Sequence, residues 1–385
     1  MTDSNERFAD FRPDRNFALH AEERSRLLPI LVGVVVLLVA ACGYGGYYFF
    51  TNSETFNPYK KFYDRIGIEI PRSFERFGQA SLYLDQLKRE PCDRVAFSAL
   101  ATLMENAGYP RESAKGLESY NLECTQSDEM LEAAYLAYTR VGDHKAALRV
   151  ADELVRSDSG NKDYRFWRGN AYERARDYKA ALADYISTLE LFPDLSTVAS
   201  SQFYQVSLMY DKIGKPCEAI SPLETYLSYD LKERQTQQIA RLISEYSRKG
   251  QCAATYANGS ARIIIPRSNR IDVVINGSKA RMILDTGATQ VSMTPEMAAR
   301  ARITPDASDF VEVKVVGGLM QQATGYAQSM QVGSATAANV PVLIAVGSKD
   351  AFGAETDGLL GMSFLSRFTM TLSTGLVELQ QKARN

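Results

Sequence analysis

The chain has 385 residues, long enough for two or three domains because a single core stops growing below that size. It is 45% hydrophobic and 23% charged with a formal net charge of −2, which offers no concentrated basic face for nucleic acid. Its two histidines, His20 and His144, leave nothing after position 144 to build a Ser-His-Asp triad, a Cys-His pair or a His-rich zinc site, so carboxylates are the obvious candidates for chemistry there.

From Leu27 to Phe50 no charge interrupts the sequence, and roughly 20 apolar residues suffice to cross a hydrocarbon core. Pro29 is expected in the first turn of this span, where a missing N–H costs little, and Tyr47-Tyr48-Phe49-Phe50 has the character of an interfacial belt. A cleaved signal peptide is the alternative, against which stand the length of the run and the polar, mixed-charge character of the 26 residues before it. Arg7, Arg12, Arg15, Arg24 and Arg26 upstream outweigh Lys60, Lys61 and Arg65 downstream, which favours a cytoplasmic N-terminus. The expected division is a tail over 1–26, a transmembrane helix over 27–50 and a juxtamembrane linker over 51–74.

Of five cysteines, Cys42 lies in the span, while Cys92, Cys124, Cys217 and Cys252 follow it. An even number on the exported side suits two disulfides, with Cys92–Cys124 and Cys217–Cys252 the expected pairs. Other connectivities, or four buried free thiols, stay open from sequence.

Between about 128 and 195 the chain repeats itself with a period of 34 residues: Tyr138-Thr-Arg-Val-Gly-Asp-His-Lys-Ala-Ala-Leu148 aligns with Tyr172-Glu-Arg-Ala-Arg-Asp-Tyr-Lys-Ala-Ala-Leu182. Gly169 and Ala181 let two antiparallel helices approach, Tyr172 and Tyr185 fill the space between them, and Pro193 ends the second helix. A third unit carries Tyr210, Gly214, Ala219 and Tyr226, and a degenerate first unit runs from Val95 to Leu122. The stretch resembles the tetratricopeptide-repeat family, so 75–252 is expected to be an all-α helical repeat domain. Such solenoids present a concave face to a partner or a peptide; a spacer holding the next domain off the membrane is the bland alternative. Trp167 is expected to pack between helices.

Beyond Cys252 the pattern becomes β. Ile271–Ile275 and Ala280–Leu284 flank Asn276-Gly277, a strong hairpin signal, and the second strand runs into Asp285-Thr286-Gly287-Ala288. Further on comes Asp357-Gly-Leu-Leu-Gly361-Met-Ser-Phe-Leu365. A hairpin, Asp-Thr-Gly-Ala and a later Leu-Leu-Gly together resemble the retropepsin-like aspartic proteases of clan AA, most of all the bacterial membrane-anchored members, over about 260–385.

The resemblance implies an all-β acid protease domain with Asp285 as the catalytic residue. It places Thr286, Gly287 and Ala288 around that residue and Leu359, Leu360 and Gly361 in a supporting strand. Because only one Asp-Thr-Gly occurs, it implies a homodimer through this domain, with one Asp285 from each chain. Two like charges about 3 Å apart cannot both ionise, so one carboxylate activates water while the other donates its proton. Asp357 lacks the Thr-Gly context and is expected to serve a turn. Ala288 offers no hydroxyl to the carboxylate, so activity is expected to reach toward neutral pH. Val311–Tyr326 is the candidate flap, with Gly317 and Gly318 near its tip.

Taken together, these features imply a single-pass protein of a bacterial inner membrane, its C-terminal domains periplasmic. It would be an aspartic endopeptidase acting on exported or membrane proteins, needing no metal or cofactor. Its partners would be the lipid bilayer, a protein or peptide substrate and a second copy, with a further protein on the repeats. The alternative is a non-catalytic or self-processing membrane scaffold whose repeats bind partner proteins.

Overall fold

A computed structural model describes residues 15–52, 57–252, 256–266, 269–315, 318–347 and 351–382, arranged as two compact units, Met1–Arg65 and Ile66–Asn385. The first unit holds helix α1 (Arg15–Asn52) and the short α2 (Lys60–Arg65). Within α1, the 20 residues Pro29–Tyr48 are long and apolar enough to cross a membrane, about 30 Å at 1.5 Å per residue, and none is buried. Pro29 lies inside this helix rather than in its first turn. Helix continues upstream through Ala, Glu, Arg and Leu residues of high helix propensity, so the apolar run and the helix do not begin together.

The second unit begins with helices α3 (Ala80–Arg89), α4 (Arg94–Asn106), α5 (Pro110–Glu123), α6 (Asp128–Arg140), α7 (His144–Ser157), α8 (Lys162–Arg174), α9 (Tyr178–Glu190), α10 (Ser200–Lys212), α11 (Pro216–Tyr229), α12 (Leu231–Arg234) and α13 (Gln237–Gly250). The repeat is visible in the turns between paired helices. Gly108, Gly142 and Arg176, each 34 residues after the last, adopt left-handed backbone with φ of 89°, 72° and 63°, and Gly214 does the same with φ of 79°. The next helix is capped from the following position: the Asp143 side chain accepts from the Ala146 N–H, and Asp177 from that of Ala180. Elsewhere proline opens the second helix, at Pro110 and Pro216. A Cβ at Gly169 would lie 2.9 Å from the Tyr185 ring, which is why glycine stands where α8 crosses α9. Trp167 is half-buried and stacks on Tyr135 with ring centroids 5.1 Å apart.

Both expected disulfides are formed. Cys92–Cys124 joins the entrance of α4 to the end of α5, and Cys217–Cys252 joins the first turn of α11 to the residues after α13, with Cα separations of 5.5 and 5.6 Å.

The C-terminal region comprises β1 (Ser260–Ile264), β2 (Arg270–Ile275), β3 (Ser278–Leu284), β4 (Val291–Met293), helix α14 (Pro295–Arg300), β5 (Asp306–Val315), β6 (Gly318–Val332), β7 (Ala335–Ala345), β8 (Gly358–Leu360), helix α15 (Met362–Leu365), β9 (Phe368–Ser373) and β10 (Leu376–Gln381). Asn276 and Gly277, with φ of 48° and 83°, make the two-residue turn between β2 and β3. Seven strands run in the order β2-β3-β8-β4-β7-β6-β5, and a further β2–β6 pairing closes this sheet upon itself; β1, β10 and β9 form a second sheet. Buried Arg367 ties the layers, donating to the backbone carbonyls of Ser363, Tyr256, Ala338 and Asn339. One contiguous apolar core runs from Ala181 and Tyr185 in α9 to Val377 and Leu379 in β10, so the repeats and the β region are packed as one body.

Candidate active site

Strand β8 lies between β3 and β4, parallel to the first and antiparallel to the second, in the registers Ile283↔Leu359 and Ser292↔Leu359. The chain leaves β3 at Leu284, passes around the end of β8 through Asp285–Gln290 and returns as β4. Backbone pairs fasten this loop to the end of β8: the Asp285 N–H donates to the Leu360 carbonyl at 3.1 Å, and the Met362 N–H to the Ala288 carbonyl at 2.9 Å. The approach is too close for side chains. A Cβ at Gly361 would meet the Gln290 carbonyl oxygen at 2.1 Å, and one at Gly358 would meet that of Ser292 at 1.9 Å. Leu360 is wholly buried and Leu359 partly so, the placement of core residues backing the loop.

At the turn itself Asp285 and Thr286 are half-buried, Gly287 is exposed and Ala288 is buried. The Gly287 N–H donates to Asp285 Oδ1 at 2.8 Å, holding the carboxylate in the curve of the loop. Asp357 stands at the far end of β8, about 10 Å along the strand. Its carboxylate accepts the Arg281 N–H at 2.8 Å and pairs with Arg300, so instead of the expected turn it ties the start of β8 to β3 and α14.

The proposed flap is a hairpin of β5 and β6 paired from Phe310↔Ala323 to Val315↔Gly318. Gly318 has φ of 140°, a backbone that favours glycine; Gly317 lies outside the described residues. The base of this hairpin rests on the helical repeats. The Glu312 N–H donates to Ser187 Oγ at 2.9 Å, and Ser159 Oγ donates to Glu312 Oε1 at 3.1 Å. Glu312 Oε2 pairs with the Arg165 guanidinium, which also reaches Asp184 at 3.3 Å. Burial pushes Arg165 below its ordinary pKa while the Asp184 carboxylate opposes the shift. Nearer the tip, Leu319 packs against Gly160 in the α7–α8 turn.

The repeats also grip the Asp285 loop, which the sequence did not reveal. The Tyr229 hydroxyl, at the end of α11, donates to the Thr286 carbonyl at 3.1 Å. Glu190, at the end of α9, accepts the Thr289 N–H at 3.1 Å and the Thr289 hydroxyl on one carboxylate oxygen. Burial pushes the Glu190 carboxyl up to about 7; hydrogen bonds from Thr289 and Gln290 oppose the shift, and the Asp285 charge adds to it. In the sequence Glu190 and Tyr229 read as ordinary helix-end residues. The signal that distinguishes them is a partner 99 or 57 positions away.

Residues 271–367 match the family model of gag-polyprotein aspartyl proteases, a stretch running from β2 to the residue before β9 and including the Asp285 loop and Leu359-Leu360-Gly361. The C-terminal region thus contains a stretch similar to the retropepsin-like aspartyl proteases, preceded here by helical repeats with a 34-residue period and an apolar helix.

Among curated proteins, the uncharacterized protein in the cobV 5′ region of Sinorhizobium sp is 33% identical over 97 residues, 25% of this chain; the match spans 40% of that relative's length. Among solved structures, a retropepsin-like aspartic protease from Rickettsia conorii is 24% identical, with 32% of this chain and 99% of that one covered and a TM-score of 0.26. MamA is 18% identical, covering 46% of this chain and 96% of its own with a TM-score of 0.35. YrrB, described as a TPR protein with an unusual peptide-binding site, is 14% identical, covering 52% and 97% with a TM-score of 0.36.

Proposed function

We propose that this chain is a membrane-anchored aspartic endopeptidase, active as a homodimer, that hydrolyses peptide bonds of exported or membrane proteins. The observation that carries this reading is the Asp285 carboxylate, half-exposed at the end of β3, oriented by the Gly287 N–H and backed by the Leu360 backbone. Asp-Thr-Gly occurs once in the sequence, and the chemistry needs two carboxylates sharing one proton. A second chain supplies the other. One carboxylate then takes a proton from water as it attacks the scissile carbonyl, and its protonated partner hydrogen-bonds the carbonyl oxygen and delivers the proton.

The apolar α1 acts as the anchor, and two disulfides accord with an oxidising compartment such as the periplasm, with the N-terminus cytoplasmic. Tethering in a bilayer raises the effective concentration for pairing. The β5–β6 hairpin serves as the flap, and the repeats hold substrate or a partner close to it.

The test is an Asp285→Ala variant compared with wild type in a cleavage assay on host membranes. Fragments that depend on Asp285 support the enzyme; identical fragment patterns would leave a scaffold. Replacing half of the chains by Asp285→Asn tests pairing: about a quarter of the activity should remain if both carboxylates are required, and about half if chains act singly.

A further inference from the structure

Two repeat helices hold the Asp285 loop at two points. Helix α11 binds its start through Tyr229 and the Thr286 carbonyl, and α9 binds its far side through Glu190 and Thr289. These contacts are of different kinds. The tyrosine meets a backbone carbonyl by a single hydroxyl. The glutamate takes both donors of Thr289 on one oxygen, and Thr289 is itself 5% exposed. The loop therefore has its outer face built by the helical domain, while β8 builds its inner face through the Leu360 carbonyl.

We propose that Glu190 is a positioning residue for the protease site, a carboxylate donated by the helical repeats that fixes the loop carrying Asp285 through Thr289. The proposal rests on the protease reading given above. Glu190 acts through Thr289; its Oε1 is committed to the loop, so it holds the nucleophile-activating carboxylate in place without replacing the second one. Removing it frees the Thr289 donors in a buried place, where an unpaired polar group costs more than the bond itself contributed. Displacing a catalytic group by about 1 Å is enough to cost on the order of a hundredfold in rate.

Ionisation gives this contact a signature. The titratable and charged groups facing the Glu190 carboxyl are Asp285 on the loop and Tyr229 on α11, while Asp194 and Arg234 act on Tyr229. With Glu190 held up to about 7, its charge changes within the neutral range. An ionised carboxylate accepts at every lone pair; a protonated one turns part of that capacity into a donor that the Thr289 N–H cannot use.

The experiment uses the full chain in detergent with a peptide cleaved by wild type. Glu190→Ala should lower kcat at least tenfold with KM within twofold, and should speed hydrogen exchange across 286–293. Glu190→Gln, which keeps an acceptor but cannot ionise, should restore most of kcat while losing the inflection near pH 7 in the wild-type rate profile. Wild-type kcat, pH profile and loop exchange in Glu190→Ala would overturn the proposal and leave the protease reading standing. So would a Glu190→Gln profile superimposable on that of wild type. Exchange measured in an Asp285→Asn background separates the two readings: a loop loosened there by Glu190→Ala supports the positioning contact even if no substrate is ever cut.

Discussion

The sharpest stability prediction concerns Arg165→Met. Its guanidinium is 7% exposed and lies between Asp184, which is 2% exposed, and Glu312, which is 10% exposed. The two carboxylates would not suffer equally from its loss. Asp184 keeps Arg168, which reaches it through two hydrogen bonds of 2.7 Å. Among the described residues the Glu312 carboxylate would keep the Ser159 hydroxyl as a partner but no cation, leaving a buried charge unpaired. Breaking a buried pair in this way costs about 3–5 kcal/mol, whereas replacing both members by apolar residues is often close to neutral. Arg165→Met should therefore destabilise the full chain by that amount in urea unfolding and speed hydrogen exchange in the 311–326 hairpin. The double variant Arg165→Met, Glu312→Leu should recover most of the loss. A single variant costing less than about 1 kcal/mol, or a double variant no better than the single, would refute the claim that this ion pair fastens the hairpin to the repeats.

Two further outcomes follow from the helical region. Cys217→Ser with Cys252→Ser opens a link with a sequence separation of 35 residues, and should cost about 4 kcal/mol in loop entropy. Thermal unfolding should show a lower midpoint in that variant, and an unchanged midpoint would contradict it. Arg176 occupies the left-handed turn position that Gly108, Gly142 and Gly214 fill in the other units. Arg176→Gly should stabilise the chain by about 1 kcal/mol, measurable by the same scan, and a loss of stability would mean that the side chain contributes more than its backbone strain costs.

What the sequence disclosed and what it withheld divide along the range of the interactions. The Asn276-Gly277 turn is written within a few residues, and the 34-residue period shows as a direct self-match of the chain. The strand behind the loop was legible through the family resemblance; it runs over Gly358–Leu360, with Gly361 just beyond it as the cap of α15, and backbone crowding explains the glycines at 358 and 361. Long-range contacts left no such trace. Arg165 and Glu312 stand 147 positions apart, and in each segment alone a charged residue looks solvated. The start of α1 differs from the expected one for another reason: Pro29 opens the apolar run, but the helix begins upstream because the residues before it are themselves good helix formers.

The hairpin seated on α8 and α9 has a thermodynamic corollary. If the hairpin must shift for a peptide to enter, and if that shift loosens the Ser187 and Arg165 contacts, then occupancy of the cleft and occupancy of the repeat groove are linked equilibria. Linkage is reciprocal: a ligand on the repeats that favours the released hairpin by some factor has its own affinity raised by the same factor when peptide is bound. The repeats would then read the state of the cleft as much as they set it.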